Sequence, residues 1–598
     1  MIRYSIAAAD PHAHLFRVSL SIARPDPQGQ VLSLPAWIPG SYMIREFSRN
    51  IVCISASAEN NSARRKVALK KRDKCSWVAA PVQGALRIDY EVYAWDLSVR
   101  GAHLDASHGF FNGSSVFLCA EEGLEDARCE VEILRPEGEA YESWRVATAL
   151  PRAGAAAHGF GVYAAADYDE LIDHPIEMGN FTLGRFTACG MPHEIAITGE
   201  VPKLDMARLT ADLEKICTAQ IKLFEPRSAK APMQRYVFLT MAVGDGYGGL
   251  EHRASTALMC SRADLPILGE TGQRDGYRSF LGLCSHEYFH TWNVKRIKPA
   301  AFAPYDLARE NYTSLLWLFE GFTSYYDDLM LARAGLIGAA EWGGLVAKAI
   351  GAVMNGSGRT KQTLAESSFD AWTKYYRQDE NAPNAIVSYY TKGSLVALAL
   401  DLNIRLRSQG CRSLDDLMRL LWREYGRDFY AGKARGVGED EVGALIERAT
   451  GLDLRDWLAA AVEGTRDLSL EYLLAEFGFA LSAEASSKHP SLGVRTTKLG
   501  RACVLSQVWD GGAAQSGGLS AGDELVAIDG LRVTESGLDG LLSRYQPGDA
   551  VEVQAFRRDE LRSFPIHLGK PEVNKYKLVP VSKPARQIAG RRKAWLGR

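Results

Sequence analysis

The segment Ser285-His286-Glu287-Tyr288-Phe289-His290-Thr291-Trp292-Asn293 holds two histidines four residues apart, with a glutamate directly after the first. It lies in a helical hydrophobic pattern that starts near Phe280, and residues four apart on a helix share one face. His286 and His290 therefore offer two imidazoles to one ion, and Glu287 projects beside them. A hydrolytic metal also needs a third protein ligand and an open position for water. Downstream, Leu315-Leu316-Trp317-Leu318-Phe319-Glu320-Gly321-Phe322 sets Glu320 among apolar neighbours. A buried carboxylate there needs compensation, which a divalent cation supplies, so Glu320 is the candidate third ligand. Asp327 follows two turns along the same face, where it would orient a ligand histidine from behind. One Zn2+ per chain is the expected cofactor. Zinc brings the pKa of its water towards about 7, and Glu287 would take the proton and deliver it to the leaving amine. Metal-assisted amide hydrolysis is the reaction class expected.

Composition agrees with a large soluble enzyme and excludes other classes. The 598 residues allow several domains with sizeable cores. Lys+Arg 70 against Asp+Glu 72 leaves a net charge of -2, so no global field recruits nucleic acid or an anionic membrane, and neither is an expected partner. Ten cysteines run from Cys53 to Cys503 without a C-x-x-C pair, which suits a reduced compartment. The start of the chain has no apolar signal core, and no 18-residue uncharged apolar stretch follows, so a cytoplasmic location is expected.

The hydrophobic period divides the chain. Phe16, Val18, Leu20 and Ile22, and again Leu86, Ile88, Tyr90 and Val92, alternate with polar residues as half-buried antiparallel strands do. Helix is expected over Met206 to Leu223, a strand over Tyr236 to Val243, and mainly helix from Phe280 to about Ala461. Beyond about Leu468, short strands return between glycine turns. The fold class is α+β and multidomain: a β-rich domain over 1–175, a catalytic domain over 176–467 that is helical from about 331, a β-rich module over 468–570, and a basic tail over 571–598. Arg591, Arg592 and Lys593 in that tail are expected to be solvated.

At these residues the chain resembles the gluzincin metallopeptidases, specifically the glycyl aminopeptidase family, whose members carry a C-terminal PDZ domain. His286 to Pro299, HEYFHTWNVKRIKP, resembles that family's zinc helix, and Trp317 to Phe322 its third-ligand segment. Ser388-Tyr389-Tyr390-Thr391-Lys392-Gly393 resembles the Y-x-K-G motif of aminopeptidase N-like enzymes. The resemblance implies that Tyr390 donates its hydroxyl to the tetrahedral oxyanion, where it stabilises charge only as it develops. Gly246-Tyr247-Gly248-Gly249-Leu250-Glu251-His252 is similar to the family's G-G-L-E-H segment. By that likeness Glu251 grips the substrate's α-amino group, which is mostly cationic at neutral pH, with Gly248 and Gly249 lining the approach. His252 stands where aminopeptidase N-like enzymes have Asn. Trp37 to Tyr42, Phe110 to Ser114 and Leu171 to Pro175 resemble segments of the N-terminal β-domain, with Asn112 a candidate polar contact. The resemblance further implies a thermolysin-like catalytic domain, peptide substrates with a free N-terminus, and a preference for N-terminal glycine or alanine.

Two other motifs resolve differently. Gly244 to Gly249 satisfies G-x-G-x-x-G, but no helix opens at its third glycine to hold a pyrophosphate. Gly518-Leu519-Ser520-Ala521-Gly522 satisfies G-x-S-x-G, but a strand follows it, and Gly518 to Gly530 instead resembles a PDZ pattern. Leu492, Gly493 and Val494 then form the candidate loop for a peptide C-terminus. Two rivals to an aminopeptidase remain: a zinc hydrolase with another substrate, cleaving internally or opening an epoxide, and a non-catalytic PDZ peptide-binding protein.

Overall fold

The computed structural model describes residues 2–60, 63–432 and 434–597. The chain forms two compact units, Met1–Asn311 with Met418–Gly438, and Tyr312–Leu417 with Glu439–Arg598.

The first unit begins with strands β1 (Ile2–Asp10), β2 (Leu15–Ile22) and β3 (Ala85–Tyr93), part of a seven-stranded sheet. Its inward positions alternate as the sequence predicts: Ile2, Tyr4 and Ile6 on β1, Phe16, Val18, Leu20 and Ile22 on β2, and Leu86, Ile88, Tyr90 and Val92 on β3 are all buried. Burying an aliphatic or aromatic side chain of this size contributes about 1.5–3 kcal/mol, so this face is the principal source of the domain's stability. The buried phenols keep partners, since Tyr4 donates to the Leu118 carbonyl at 2.8 Å and Tyr90 to that of Val116 at 2.7 Å. A smaller sheet contains the hairpin β4 (Ala102–Leu104) and β5 (His108–Phe111), paired to β6 (Ile176–Gly179).

A five-stranded sheet follows, from β7 (Phe181–Ala188) and β8 (Met191–Thr198) through helix α1 (Met206–Phe224) to β9 (Tyr236–Val243), β10 (Tyr247–Glu251) and β11 (Ser255–Ser261). The strand order is β7-β8-β9-β11-β10, and β10 runs antiparallel to β11 at the edge. Asp205 caps α1 by accepting from the Arg208 amide at 3.0 Å. Helix α2 (Asp275–Phe289) buries Tyr277, Phe280, Leu281, Cys284 and Tyr288. Gln220 of α1 donates to the Ser285 carbonyl at 2.8 Å, pinning α2 one residue before His286.

The second unit contains α3 (Phe322–Arg333), α4 (Ala339–Met354) and α5 (Thr391–Arg407). It continues through β12 (Phe479–Ala485) into a β-rich module with β13 (Val494–Leu499), β14 (Ala502–Val508), β15 (Glu524–Ile528), helix α6 (Leu538–Leu542), β16 (Ala550–Arg557) and β17 (Glu560–His567). This module has its own core cluster, including Leu492, Leu505, Ile528, Val553 and Ile566. Asp510 ties this domain to the helical part by accepting from Ser357 at 3.0 Å and pairing with Lys361, while Asn384 donates to the Val508 carbonyl at 2.8 Å.

The segment expected as a solvated basic tail is instead folded in. β18 (Val573–Pro580) pairs antiparallel with β12, and α7 (Arg586–Leu596) carries Trp595, which is fully buried against Trp342, Phe477 and Phe479. Trp595 donates its indole N–H to Tyr325 at 2.9 Å, and Arg591 pairs with Glu476. All ten cysteines are free thiols.

Candidate active site

The first unit carries the histidine pair. His286 Nε2 and His290 Nε2 lie 3.0 Å apart, and His290 Nδ1 lies 2.8 Å from the Asn293 carbonyl. A carbonyl only accepts, so Nδ1 carries the proton and Nε2 of His290 presents its lone pair. Ring nitrogens aimed at one point from this distance suit a shared cation. Two ligands about 2.0–2.1 Å from a tetrahedral zinc stand roughly 3.3 Å apart, close to what is observed. Asn293 is held by a tight turn after α2, in which Val294 N donates to the Ile297 carbonyl at 2.9 Å and Ile297 N to that of Trp292 at 2.8 Å. Val294 has φ 117°, a conformation β-branched residues rarely adopt and one that costs on the order of 1–3 kcal/mol. This strain sits in the turn that orients His290.

Two carboxylates join them. Glu251, Glu287 and His290 each bring a donor atom within 4.8 Å of the others, and all three residues are buried. Glycine permits the approach: a Cβ on Gly249 would collide with the Glu287 carboxylate, and one on Gly40, at φ 93°, with that of Glu251. Arg100 donates to the Gly249 carbonyl at 3.4 Å from the side of the N-terminal domain. The sequence Gly244 to Gly249 leads into edge strand β10 rather than a helix, so it lacks the helix N-terminus a dinucleotide needs.

Behind this half lies a network that sequence reasoning missed. Asp173 accepts from His252 Nδ1 at 3.1 Å and from Arg253 at 2.9 Å, and pairs with Lys295 Nζ at 2.7 Å. Burial alone would raise the Asp173 pKa, but Lys295, His252 and Arg253 outweigh it and hold the carboxyl well below its usual range. Burial lowers the pKa of His252, which keeps it neutral at pH 7. The position of Asp173 in Leu171-Ile172-Asp173-His174-Pro175 and the basic residues after the zinc helix were the available signals. Asn112, the candidate polar contact, is fully buried and donates to the Val99 carbonyl at 2.9 Å, shaping the loop that carries Arg100.

The second unit holds the other predicted residues. Glu320 is buried on a π-helical turn, Trp317–Gly321, that leads into α3. Gly321 and Gly393 cross so closely that a Cβ on either would meet the other's backbone, which packs this turn against the start of α5. Tyr390 sits just before α5 with its hydroxyl 3.4 Å from that of Tyr376 and its ring against Tyr389 and Tyr375. Burial chiefly, and the nearby Glu320 charge in part, raise the Tyr375 and Tyr389 pKa values. Asp327 lies on α3 and accepts from the Asp328 amide at 2.5 Å. In the PDZ loop, Leu492 is a core residue, Gly493 at φ 73° donates its N–H to Ser491 Oγ at 2.9 Å, and Val494 opens β13. A cavity beside this loop is lined by Ser491, Gly493, Val494 and Arg495, and by Met354 and Asn355 from the end of α4.

These features together describe a peptidase, and comparison with known proteins gives the family. The Peptidase M61 N-terminal domain matches residues 3–180, the M61 glycyl aminopeptidase domain 279–396, and a PDZ domain 490–568. An aminopeptidase N family protein from Idiomarina loihiensis is 42% identical, with a TM-score of 0.93 and 100% of both chains covered. An M1 zinc metallopeptidase from Deinococcus radiodurans is 13% identical, covering 78% of this chain and 94% of its own at a TM-score of 0.48. No curated protein sequence matches. The chain belongs to the glycyl aminopeptidase family, with an N-terminal β-sheet domain, a mixed α/β peptidase domain and a C-terminal PDZ domain. Among the described residues, no helix is long and apolar enough to cross a membrane.

Proposed function

We propose that the protein is a zinc aminopeptidase that releases small N-terminal residues, glycine or alanine, from peptides. The observation that carries this is the convergence of a histidine pair, with one imidazole's lone pair fixed by Asn293, and two buried carboxylates on one patch of α2 and β10. His286 and His290 hold the metal, with Glu320 the third ligand by the family motif and Asp327 the residue assigned to orient a ligand histidine. When bound, zinc polarises the scissile carbonyl and acidifies water. Glu287 takes the water proton and returns it to the leaving amine. Tyr390 donates its hydroxyl to the oxyanion. Glu251, walled in by Gly40, pairs with the substrate ammonium, which limits cleavage to the first residue. Gly248 and Gly249 let the substrate backbone run beside edge strand β10. The loop Leu492, Gly493 and Val494 is the place for a peptide C-terminus, favoured by the adjoining cavity.

Chelation and re-addition of zinc test the metal. Hydrolysis of a glycyl peptide should vanish on chelation and return with Zn2+, whereas activity that survives complete metal removal would contradict the assignment. A panel of N-terminal residues tests the preference, with glycine and alanine expected to give the largest kcat/KM.

A further inference from the structure

We propose that His103, Asp105 and His108 form a second divalent-cation site, on the β4–β5 hairpin of the N-terminal domain and separate from the histidine pair on α2. The sequence His103-Leu104-Asp105-Ala106-Ser107-His108 places all three on one face of the hairpin. Residues 103 and 105 are two apart along the strand line, and the bond from Asp105 N to the His108 carbonyl, 3.0 Å, sets His108 opposite Asp105.

The donor atoms converge. One from each residue lies within 4.8 Å of the other two, and His103 Nε2 is 3.3 Å from Asp105 Oδ2. That edge is about the spacing of two ligands on a tetrahedral ion with bonds near 2.0–2.1 Å. The remaining bonds orient the set. Asp105 Oδ1 is committed to Ser107 N at 2.7 Å, Ser107 Oγ at 2.6 Å and His108 N at 3.0 Å, which turns Oδ2 towards His103. Glu177 Oε1, which accepts from Thr198 at 2.9 Å, lies 3.2 Å from His108 Nδ1. That carboxylate keeps the proton on Nδ1 and leaves Nε2 bare, the arrangement found behind metal-bound histidines. His108 Nε2 is buried without a hydrogen-bond partner. Such a group is costly unless something occupies the space it faces. Beside the set lies a cavity of about 20 Å³, room for one water, lined by both histidines, Glu177 and Thr240 but not by Asp105. Asp105 is the most exposed of the three, with 31% of its side chain open, which gives an ion a way in.

Two imidazoles and a carboxylate select Zn2+, Co2+, Ni2+ or Cu2+ over Mg2+ or Ca2+. The site's role is structural, because the cavity is walled by Leu239 and Thr240 of β9 and Ala257 and Leu258 of β11, and by Val99 beside Arg100. A cation there would stiffen the hairpin against the sheet that carries β10.

Metal counting tests this directly. Chelated full-length protein is loaded with Zn2+, freed of excess, and measured by plasma mass spectrometry. Two ions per chain are expected in the wild type, and one in each of the double variants H103Q/H108Q and H286Q/H290Q. In the H286Q/H290Q protein, which leaves the hairpin untouched, Zn2+ should still raise the melting temperature by several degrees. Asp105→Asn should weaken that rise at least tenfold in zinc concentration. One ion in the wild type with none in H286Q/H290Q, and no thermal shift, would mean a water occupies the cavity and would overturn the proposal. If instead the α2 assignment were wrong, H286Q/H290Q would bind as many ions as the wild type, so the two failures are distinct.

Discussion

Position 251 shows what a single side chain decides. On the proposed function, the buried carboxylate at the end of β10 recognises a charged amine, and an amide of the same shape would not. Glu251→Gln should therefore lower kcat/KM for free-amine peptides by about 100-fold, about 2.7 kcal/mol, measured by steady-state kinetics. Glu287→Gln should lower kcat by roughly 10²–10⁴-fold with little change in KM, since a general base acts on the chemical step. Gly249→Ala is expected to displace the Glu287 carboxylate and reduce activity, while the far-ultraviolet circular dichroism stays that of the wild type. Local motifs made these residues legible. His286, Glu287 and His290 fall within five positions, and the helical period alone puts them on one face. Asp173 was not legible as a network centre, because its partners His252 and Lys295 lie far along the chain and nothing in the intervening sequence encodes their meeting.

At the scale of elements, strands and helices were readable where one face is buried. β2, β3 and α1 follow their periods. The π-helical turn at Glu320 was not readable, since it packs through the Gly321–Gly393 crossing against a segment some seventy residues further along the chain. Buried polar links between elements have a pH signature. His193 on β8 sits 3.0 Å from the Met191 carbonyl and 3.0 Å from the Tyr288 hydroxyl on α2, and burial lowers its pKa to about 4. An unfolded histidine titrates near 6.5, so unfolding binds a proton between these values. The stability His193 contributes is full above about pH 6.5 and is lost as pH falls towards 4, amounting to about 3 kcal/mol. Denaturant unfolding at pH 7.5 and 5 should show about 2 kcal/mol of this loss, and His193→Gln should reduce the difference. An identical pH response in both proteins would contradict it. Asp173→Asn should destabilise the first unit by about 3–5 kcal/mol, because Lys295 and Arg253 would remain buried with too little counter-charge.

For the whole molecule, the domain sequence was legible from shifts of hydrophobic period, and the end of the chain was not. Residues 586–596 carry three Arg and one Lys in eleven positions, so their mean hydropathy hides two anchors, Trp595 and Leu596, that are both buried. A single indole filling an aromatic cage leaves almost no periodic trace. Trp595→Ala should destabilise the second unit by about 3–5 kcal/mol, read as a fall in the denaturant midpoint. The central claim, a peptidase that reads the amino end of its substrate, is tested most directly with one peptide beginning with glycine and its N-acetylated twin, each given to the wild type and to E251Q. Expected is rapid release of glycine from the free-amine peptide by the wild type alone, with the acetylated twin resistant to both proteins. Equal cleavage of the two peptides by the wild type, or undiminished cleavage by E251Q, would contradict it.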